Sequence, residues 1–211
     1  MTSILKVDTI QDTDGNNIIN ESGNTITIGA SGDTISIPSG ATIANSGTAT
    51  GFGGITMADQ WRLTADNSMS SSGNQDITSN WERNDNSGFG QLGSGMTESS
   101  GIFTFPSTGI YLIKIVFDVI AGGSSGADIA ADVKINTTVN NSDYTQQTAT
   151  YASMHGNGVY SVGMAEFIFD VTDTSTHKCK FRYYRSTSGS ILRGSTSQNE
   201  THATFIRLGD T

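Results

Sequence analysis

The sequence predicts an all-β protein, with a short N-terminal β-clip and a β-stalk followed by an antiparallel jelly-roll sandwich. Its 211 residues include 25 glycines, only 2 prolines and 15% charged residues, a composition typical of short strands joined by tight turns. Apolar residues recur with a period of two along several runs, and no stretch has the 3.6-residue repeat of an amphipathic helix. The 35% hydrophobic content is enough to form a core.

The first segment, residues 1–24, has the pattern of a hairpin. Two short apolar runs, Ile4–Ile10 and Asn17–Ile19, flank a polar turn that contains Asp14-Gly15. This dipeptide readily adopts the positive φ angles of a tight hairpin turn. Counted from Asp12, the segment also resembles the start of a calcium loop, but the glycine at position six and the glutamate at position twelve are missing. A hairpin is therefore the better interpretation.

Residues 25–51 form a degenerate repeat whose units begin at Thr25, Thr34 and Thr42. In each unit isoleucine alternates with threonine or serine before a Ser-Gly turn, so one unit is one short strand and one turn. Its few isoleucines bury too little apolar surface to fold this segment alone. Either the segment is a flexible linker, or several copies of the chain pack their isoleucines around a shared axis; the regular alternation favours the second interpretation. The residues that would pack in this stalk are Ile26, Ile28, Ile35, Ile37 and Ile43.

A glycine-rich segment, Gly51–Gly54, predicts a hinge that ends a stalk of residues 25–54. The C-terminal domain, residues 55–211, has longer apolar runs separated by turn clusters, as expected of an antiparallel sandwich or jelly roll. Three polar segments, 122–127, 140–158 and 186–200, are predicted to be loops. The predicted strands are Ile55–Leu63, Gly101–Pro106, Gly109–Ala121, Asp128–Val139, Val159–Val171, Lys178–Tyr184 and His202–Leu208.

The run from Ser99 to Ile115 predicts a tight β-corner, in which Pro106 ends one strand and Gly109 permits the turn into the next. It resembles the G-x-F-x-x-P-x-x-G-x-Y-x-F signature of the complement globular-head and tumour necrosis factor superfamily of trimeric jelly rolls. Ile113 replaces the last aromatic residue of that pattern. The resemblance implies a homotrimer in which the closing strand, His202–Asp210, lies beside the trimer axis. The matching positions, which form the core signature of this knob, are Gly101, Phe103, Pro106, Gly109 and Tyr111.

The N-terminal part resembles a second group, the fibre proteins of tailed phages and especially of phages that infect marine bacteria. The likeness covers Ser3–Asn20 and Thr25–Gly40. It implies that residues 1–24 bind another virion protein, that the repeats form a short triple-stranded stalk, and that the C-terminal domain is a globular knob. The expected location is the virion, after synthesis in the host cytoplasm, because the N-terminus has no signal-peptide pattern.

Charge and chemistry exclude several other functions. A formal charge of −9 with only 11 basic residues argues against nucleic acid, and no window is apolar enough for membrane insertion. The histidines, His155, His177 and His202, lack metal-ligand spacing, and the single cysteine, Cys179, has the strand position of a buried small hydrophobe. We therefore expect no catalytic residue, no metal site and no cofactor, although acidic residues near a three-fold axis would suit calcium.

The predicted loops contain the candidate receptor-binding residues, which combine aromatic rings with polar groups that suit a host-surface glycan or protein. Ordinary solvated loops would have the same composition, and this alternative stays open. The sequence thus predicts a homotrimeric virion fibre whose knob recognises the host. The alternatives are a capsid-decorating head fibre or purely structural tail component, and a polysaccharide-degrading tail spike. The candidate residues are Tyr144, Tyr151, His155, Tyr160 and Arg193.

Overall fold

The computed structural model divides the chain into two compact units, Met1–Gly51 and Phe52–Thr211. All regular elements among the described residues are β-strands. The fold class predicted from the sequence, an all-β antiparallel sandwich, is confirmed. The residues that the structure describes are 8–15, 17–23, 25–44, 54–69, 73–122, 128–185 and 189–211.

The N-terminal unit contains an antiparallel sheet of three strands in the order β1 (Thr9–Gln11), β2 (Asn17–Ser22) and β3 (Thr25–Ile28). The predicted hairpin turn joins β1 to β2, and Gly15 makes it possible with a φ of 85° and an N–H that donates to Asp12 O at 3.2 Å. The part of the predicted first strand from Ile4 to Val7 lies outside the described residues. Because β3 pairs with β2, the first repeat is part of this sheet.

The later repeats make turns but no strand within the described residues 29–44. Both turns fall on Ser-Gly dipeptides: Asp33 N–H donates to Ala30 O, and Ala41 N–H donates to Pro38 O, each at 3.1 Å. The isoleucines of the repeats are largely exposed in the single chain. They expose between 47% and 68% of their surface: Ile26, Ile28, Ile35, Ile37 and Ile43.

The C-terminal unit is a sandwich of two antiparallel sheets. Sheet I has the order β5-β15-β10-β16-β4-β7, with β13 also paired to β10; sheet II has the order β12-β11-β14-β9-β8, with β6 also paired to β14. The strands are β4 (Met57–Leu63), β5 (Asn67–Ser68), β6 (Gln75–Asp76), β7 (Trp81–Arg83), β8 (Thr97–Ser99), β9 (Ile102–Thr104), β10 (Gly109–Ile120), β11 (Asp128–Thr138), β12 (Thr145–His155), β13 (Tyr160–Val171), β14 (Lys178–Arg185), β15 (Ile191–Leu192) and β16 (His202–Gly209).

Each strand predicted for the sandwich is present, but the predicted loop over residues 140–158 is wrong. Eleven of its residues form β12, which pairs with β11. The strand was missed because its only fully buried apolar residues are Ala152 and Met154, so its alternation is weak. The predicted loop over 186–200 likewise contains the two-residue strand β15.

The core is centred on Phe103, which is fully buried. Its ring centroid lies 5.1–5.6 Å from those of four aromatic residues contributed by both sheets. Edge-to-face and tilted contacts of this kind add to the free energy of burial. The four neighbours are Trp61, Trp81, Phe181 and Phe205. Cys179 is also buried, and burial raises the pKa of its thiol above the usual value.

The five signature residues occupy the predicted corner between β9 and β10. Gly101 has a φ of +81°, and a Cβ there would lie 2.2 Å from Ile77 O, so the backbone passes too close for any other residue. Tyr111 is buried and donates its hydroxyl to Ser107 O at 3.0 Å. Phe103 lies in the core, whereas Pro106 is exposed at the corner, just ahead of Gly109.

We expect Phe103→Ala to lower the free energy of unfolding of the sandwich by about 3–5 kcal/mol, because it removes the ring that contacts both sheets and leaves a cavity. Chemical denaturation followed by tryptophan fluorescence measures this change. The matched control is Ile102→Ala at the next position, which points outward and should cost less than about 1 kcal/mol. Equal losses in the two variants would contradict the assignment of Phe103 to the core.

Candidate interaction surfaces

The outer surface of sheet I is largely apolar. Along β13 the outward positions alternate with buried ones, and four of them are apolar and 48–64% exposed. Scattered exposed hydrophobic residues are ordinary, whereas here four lie on the same face of one strand, interrupted by Glu166. The four residues are Tyr160, Val162, Met164 and Ile168. We call this surface the apolar face and define it as the outward side chains of β13, β10 and β16.

The apolar face continues across the neighbouring strands. Leu112 of β10 lies between Ile168 of β13 and Ile206 of β16 in the strand register. Near its far edge is a shallow groove of about 180 Å³. Charged residues interrupt this surface: Lys114 and Glu166 form a cross-strand pair, and Asp118 and Asp170 are outward residues of β10 and β13. The groove is lined by Ala58, Asp59, Gln60, Phe89, Gly90, Thr204 and Ile206.

His202 marks the polar border of the apolar face. It is half-buried, its cross-strand partners are Arg62 and Val116, and its Nδ1 lies 3.3 Å from Glu200 O. Burial is the largest cause that lowers the pKa of His202, and the charge of Lys114 lowers it further, against opposing backbone hydrogen bonds. The site therefore favours the neutral imidazole.

Two of the predicted receptor-binding residues come together at one end of the sandwich. The Arg193 guanidinium lies 5.2 Å from the centroid of the Tyr160 ring. It also forms ion pairs with Asp118, at 2.8 Å, and with Glu200. These two carboxylates compensate the charge of Arg193, while 61% of Tyr160 stays exposed. The cluster thus presents an aromatic platform rather than a free cation.

The other three predicted residues lie elsewhere. Tyr144 immediately precedes β12 at the opposite end of the sandwich, with Lys180 Nζ 4.3 Å from its ring centroid. Burial raises the pKa of Tyr144, and the charges of Cys179 and Asp76 raise it further. Tyr151, in the middle of β12, is 66% exposed, and His155 ends that strand. The five residues therefore do not form one site.

Sequence reasoning missed the outward row of β13. The signal was present in the segment Val162–Phe169, V-G-M-A-E-F-I-F, where most positions of both parities are apolar. A strand with one solvated face should alternate apolar with polar residues, so a nearly continuous apolar run indicates that both faces are to be covered.

Within the described ranges, no three His, Cys, Asp or Glu side chains are grouped so that they could hold a metal ion. No helix long and apolar enough to span a bilayer occurs in the part of the chain that the structure describes.

Comparison with known proteins bears on the fold. No protein-family model matches the sequence, and no curated protein matches it. The structure of Eiger TNF from S. frugiperda matches with a TM-score of 0.53 at 10% identity, over 74% of this chain and 95% of that one. The sandwich has a tumour necrosis factor-like fold. Murine APRIL at pH 8.0 matches with a TM-score of 0.50 at 12% identity, over 72% of this chain and 98% of that one.

A third solved structure similar to the chain is the PRD1 vertex protein P5, with a TM-score of 0.45 and 15% identity over 74% of this chain and 100% of that one. At these identities the likenesses concern the fold. The tumour necrosis factor-like architecture agrees with the resemblance carried by the signature residues of the β9–β10 corner.

The lowered pKa of His202 predicts an acid-sensitive fold. The unfolded chain binds the proton more readily than the folded protein, so this contribution to stability is complete above the ordinary pKa of about 6.5 and is lost as the pH falls through the lower folded-state pKa. We expect the denaturation midpoint of the wild type to fall more between about pH 7 and pH 5 than that of His202→Gln. The same pH dependence in both proteins would contradict the assignment.

Proposed function

We propose that the chain is a structural virion fibre protein that assembles as a homotrimer. In this proposal residues 1–24 attach to the particle, the isoleucine repeats form a triple-stranded stalk, and the sandwich contacts the host surface. No catalytic step is part of this function.

The observation that carries the proposal is the presence of unpartnered apolar surface in both units. In the N-terminal unit the repeat isoleucines are exposed, and in the sandwich the apolar face is exposed along β13. Burying apolar surface gains roughly 25 cal/mol per Å², so two such surfaces on one chain strongly favour association. Copies of the same chain are the simplest partner, because each copy has both surfaces to bury.

The positions of the two patches on sheet I suit a closed ring of copies. The row on β13 is near one edge of sheet I, whereas the groove beside Ile206 is toward the other edge. An interface that joins two different patches is head-to-tail, and such interfaces close into rings when the rotation allows it. The signature at the β9–β10 corner, which resembles that of trimeric jelly rolls, supports a ring of three.

Attachment and host contact are supported by different features. The likeness of Ser3–Asn20 to phage fibre proteins supports attachment by the N-terminus. The chain enters the sandwich at Met57, which is at the same end as Arg207, while Tyr160 and Arg193 lie at the other end. Three copies of a weak binding surface can gain about 10²–10⁴ in apparent affinity. A trimer therefore compensates for shallow sites.

A capsid-decorating or purely structural role without a receptor would use the same assembly and the same attachment segment. It differs from the host-binding role in one outcome, which is whether the isolated protein competes with the phage for the host surface.

We expect the purified chain to be a trimer at micromolar concentration, and Val162→Glu to weaken this assembly because it places a charge in the apolar face. Light scattering coupled to size-exclusion chromatography measures the mass. The matched control is Val139→Glu, since Val139 is 62% exposed against 64% for Val162 but lies outside the apolar face. A monomeric wild type, or equal effects of the two variants, would contradict the proposal.

We expect an excess of the purified full-length trimer to reduce adsorption of the phage that carries it, because the free protein occupies the same host sites. Counting unadsorbed phage after a short incubation measures the effect, with heat-unfolded protein as the control. Unchanged adsorption by a properly assembled trimer would favour the capsid-decorating or purely structural role.

A further inference from the structure

The outer surface of sheet II carries more cations than carboxylates. Buried and partly exposed residues alternate along β14. Cys179, Phe181 and Tyr183 are buried, and three of the four residues that point to the other side are basic. The neighbouring strand β11 adds a fourth basic residue, Lys134, which points to the same side opposite Arg182 in the register but is only 7% exposed. We call this surface the cationic face and define it by these four residues: Lys134, Lys178, Lys180 and Arg182.

Two described carboxylates pair with three of the four cations. Asp76 forms ion pairs with Lys180 at 2.8 Å and with Arg182 at 2.6 Å. Asp132 pairs with Lys134 at 2.7 Å. The fourth cation, Lys178, donates its ammonium group to a backbone carbonyl, Thr174 O, at 2.6 Å. The cationic face therefore has about two positive charges that these carboxylates do not balance.

This surplus contrasts with the rest of the molecule. The chain as a whole has a formal charge of −9. At two arginines of sheet I, by contrast, carboxylates outnumber the cation. Arg62 pairs with both Glu82 and Asp85, and Arg193 pairs with both Asp118 and Glu200. Alternate residues of a strand are about 6.6–6.8 Å apart, so the basic residues of β14 repel one another, and the single carboxylate of Asp76 offsets this repulsion only in part.

The cationic face also has aromatic and hydrogen-bonding groups. Lys134 lies 5.2 Å from the ring centroid of Tyr184, and Lys180 lies against Tyr144. Two buried polar atoms of this region, Asn136 Oδ1 and the Tyr144 hydroxyl, have no hydrogen-bond partner among the described residues. Asn136 is the cross-strand partner of Lys180. Unpaired buried polar groups are uncommon and call for a hydroxyl or a water.

We propose that the cationic face binds an acidic polysaccharide of the host surface. Its cations suit the carboxylates of the polymer, while its tyrosine rings suit the sugar rings. The proposal rests on the proposed host-binding function and gives its ligand class. Because the two sheets of a sandwich present their outer surfaces in opposite directions, the partly exposed basic residues of β14 stay accessible when the apolar face is buried in a trimer, whereas Lys134 is buried.

A polysaccharide fits this face better than a nucleic acid. Duplex DNA carries one negative charge per about 1.7 Å and binds through many phosphate contacts. A surplus of about two charges on a chain of net charge −9 is too small for that density. A polyuronate carries one carboxylate per sugar, a lower density that matches a row of three basic residues.

The test measures binding of the full-length protein to immobilised polygalacturonate, with fully methyl-esterified polygalacturonate as a matched polymer that lacks the charge. We expect binding to the acid form only, and a clear loss of affinity when the salt concentration is raised from about 50 to 200 mM. Lys178→Gln should weaken binding about threefold, and the double variant Lys178→Gln/Lys180→Gln about tenfold. The control Lys6→Gln removes one charge from the N-terminal unit and should leave binding unchanged.

Three results would overturn the inference: equal binding to the acid and the esterified polymer, no effect of the double variant in a protein that stays trimeric, or tighter binding to duplex DNA than to polygalacturonate. The adsorption experiment separates this inference from the proposed function. If the protein blocks adsorption but does not bind polygalacturonate, the proposed host binding is supported and the inferred ligand class is wrong.

Discussion

The alternation of side chains along β10 is the constraint on which the rest of the structure depends. Its inward residues, including Tyr111 and Phe117, fill the core, while it pairs with β13 on one side and with β16 and β15 on the other. Most of its outward residues are apolar as well, and so are those of β13. In a single sandwich, one apolar face of such a sheet stays exposed to solvent, because the second sheet covers only the other face. The proposed self-association would thus involve the same strand that organises the core.

The two sheets differ because their outward residues differ, although their inward residues follow one rule. On sheet I the outward positions of β13 are mostly valine, methionine, isoleucine and tyrosine, whereas on sheet II the outward positions of β14 are mainly lysine and arginine. The inward side chains of a strand pack in the core of the sandwich, and its outward side chains determine which partners the surface can bind. Core packing and interaction chemistry are therefore encoded by alternate residues of the same segments.

The sequence predicts the fold well wherever this alternation is strong. Strands such as β10 and β14 have several buried large residues each, and their predicted bounds are nearly correct. Strand β12 was missed because Ala152 and Met154 are its only buried apolar side chains. The two-residue strands β5 and β6 pair with β15 and β14, which are more than about a hundred residues away. A local pattern contains no information on such partners.

The candidate surfaces were less predictable for the same reason. Tyr160 and Arg193 meet, but Tyr144 lies at the other end of the sandwich, since loop composition does not say at which end a loop emerges. The basic residues of K-C-K-F-R-Y-Y-R are evident from the sequence. The charge of Lys180 and Arg182, however, is balanced by Asp76, about a hundred residues away. The number of unbalanced charges on a face is a property of the folded sheet alone.

The proposed assembly surface and the proposed ligand surface lie on opposite sheets, which bears on how such a protein can change. A substitution on the outer surface of β14 would alter the charge of the cationic face without changing the residues of β13 that are proposed to join the copies. New charge patterns could thus arise one residue at a time while the proposed interface stays the same. By contrast, Tyr160 belongs both to the apolar face and to the cluster around Arg193, so variation at that position changes two properties at once. We therefore expect sequence divergence among variants of this protein to concentrate on sheet II.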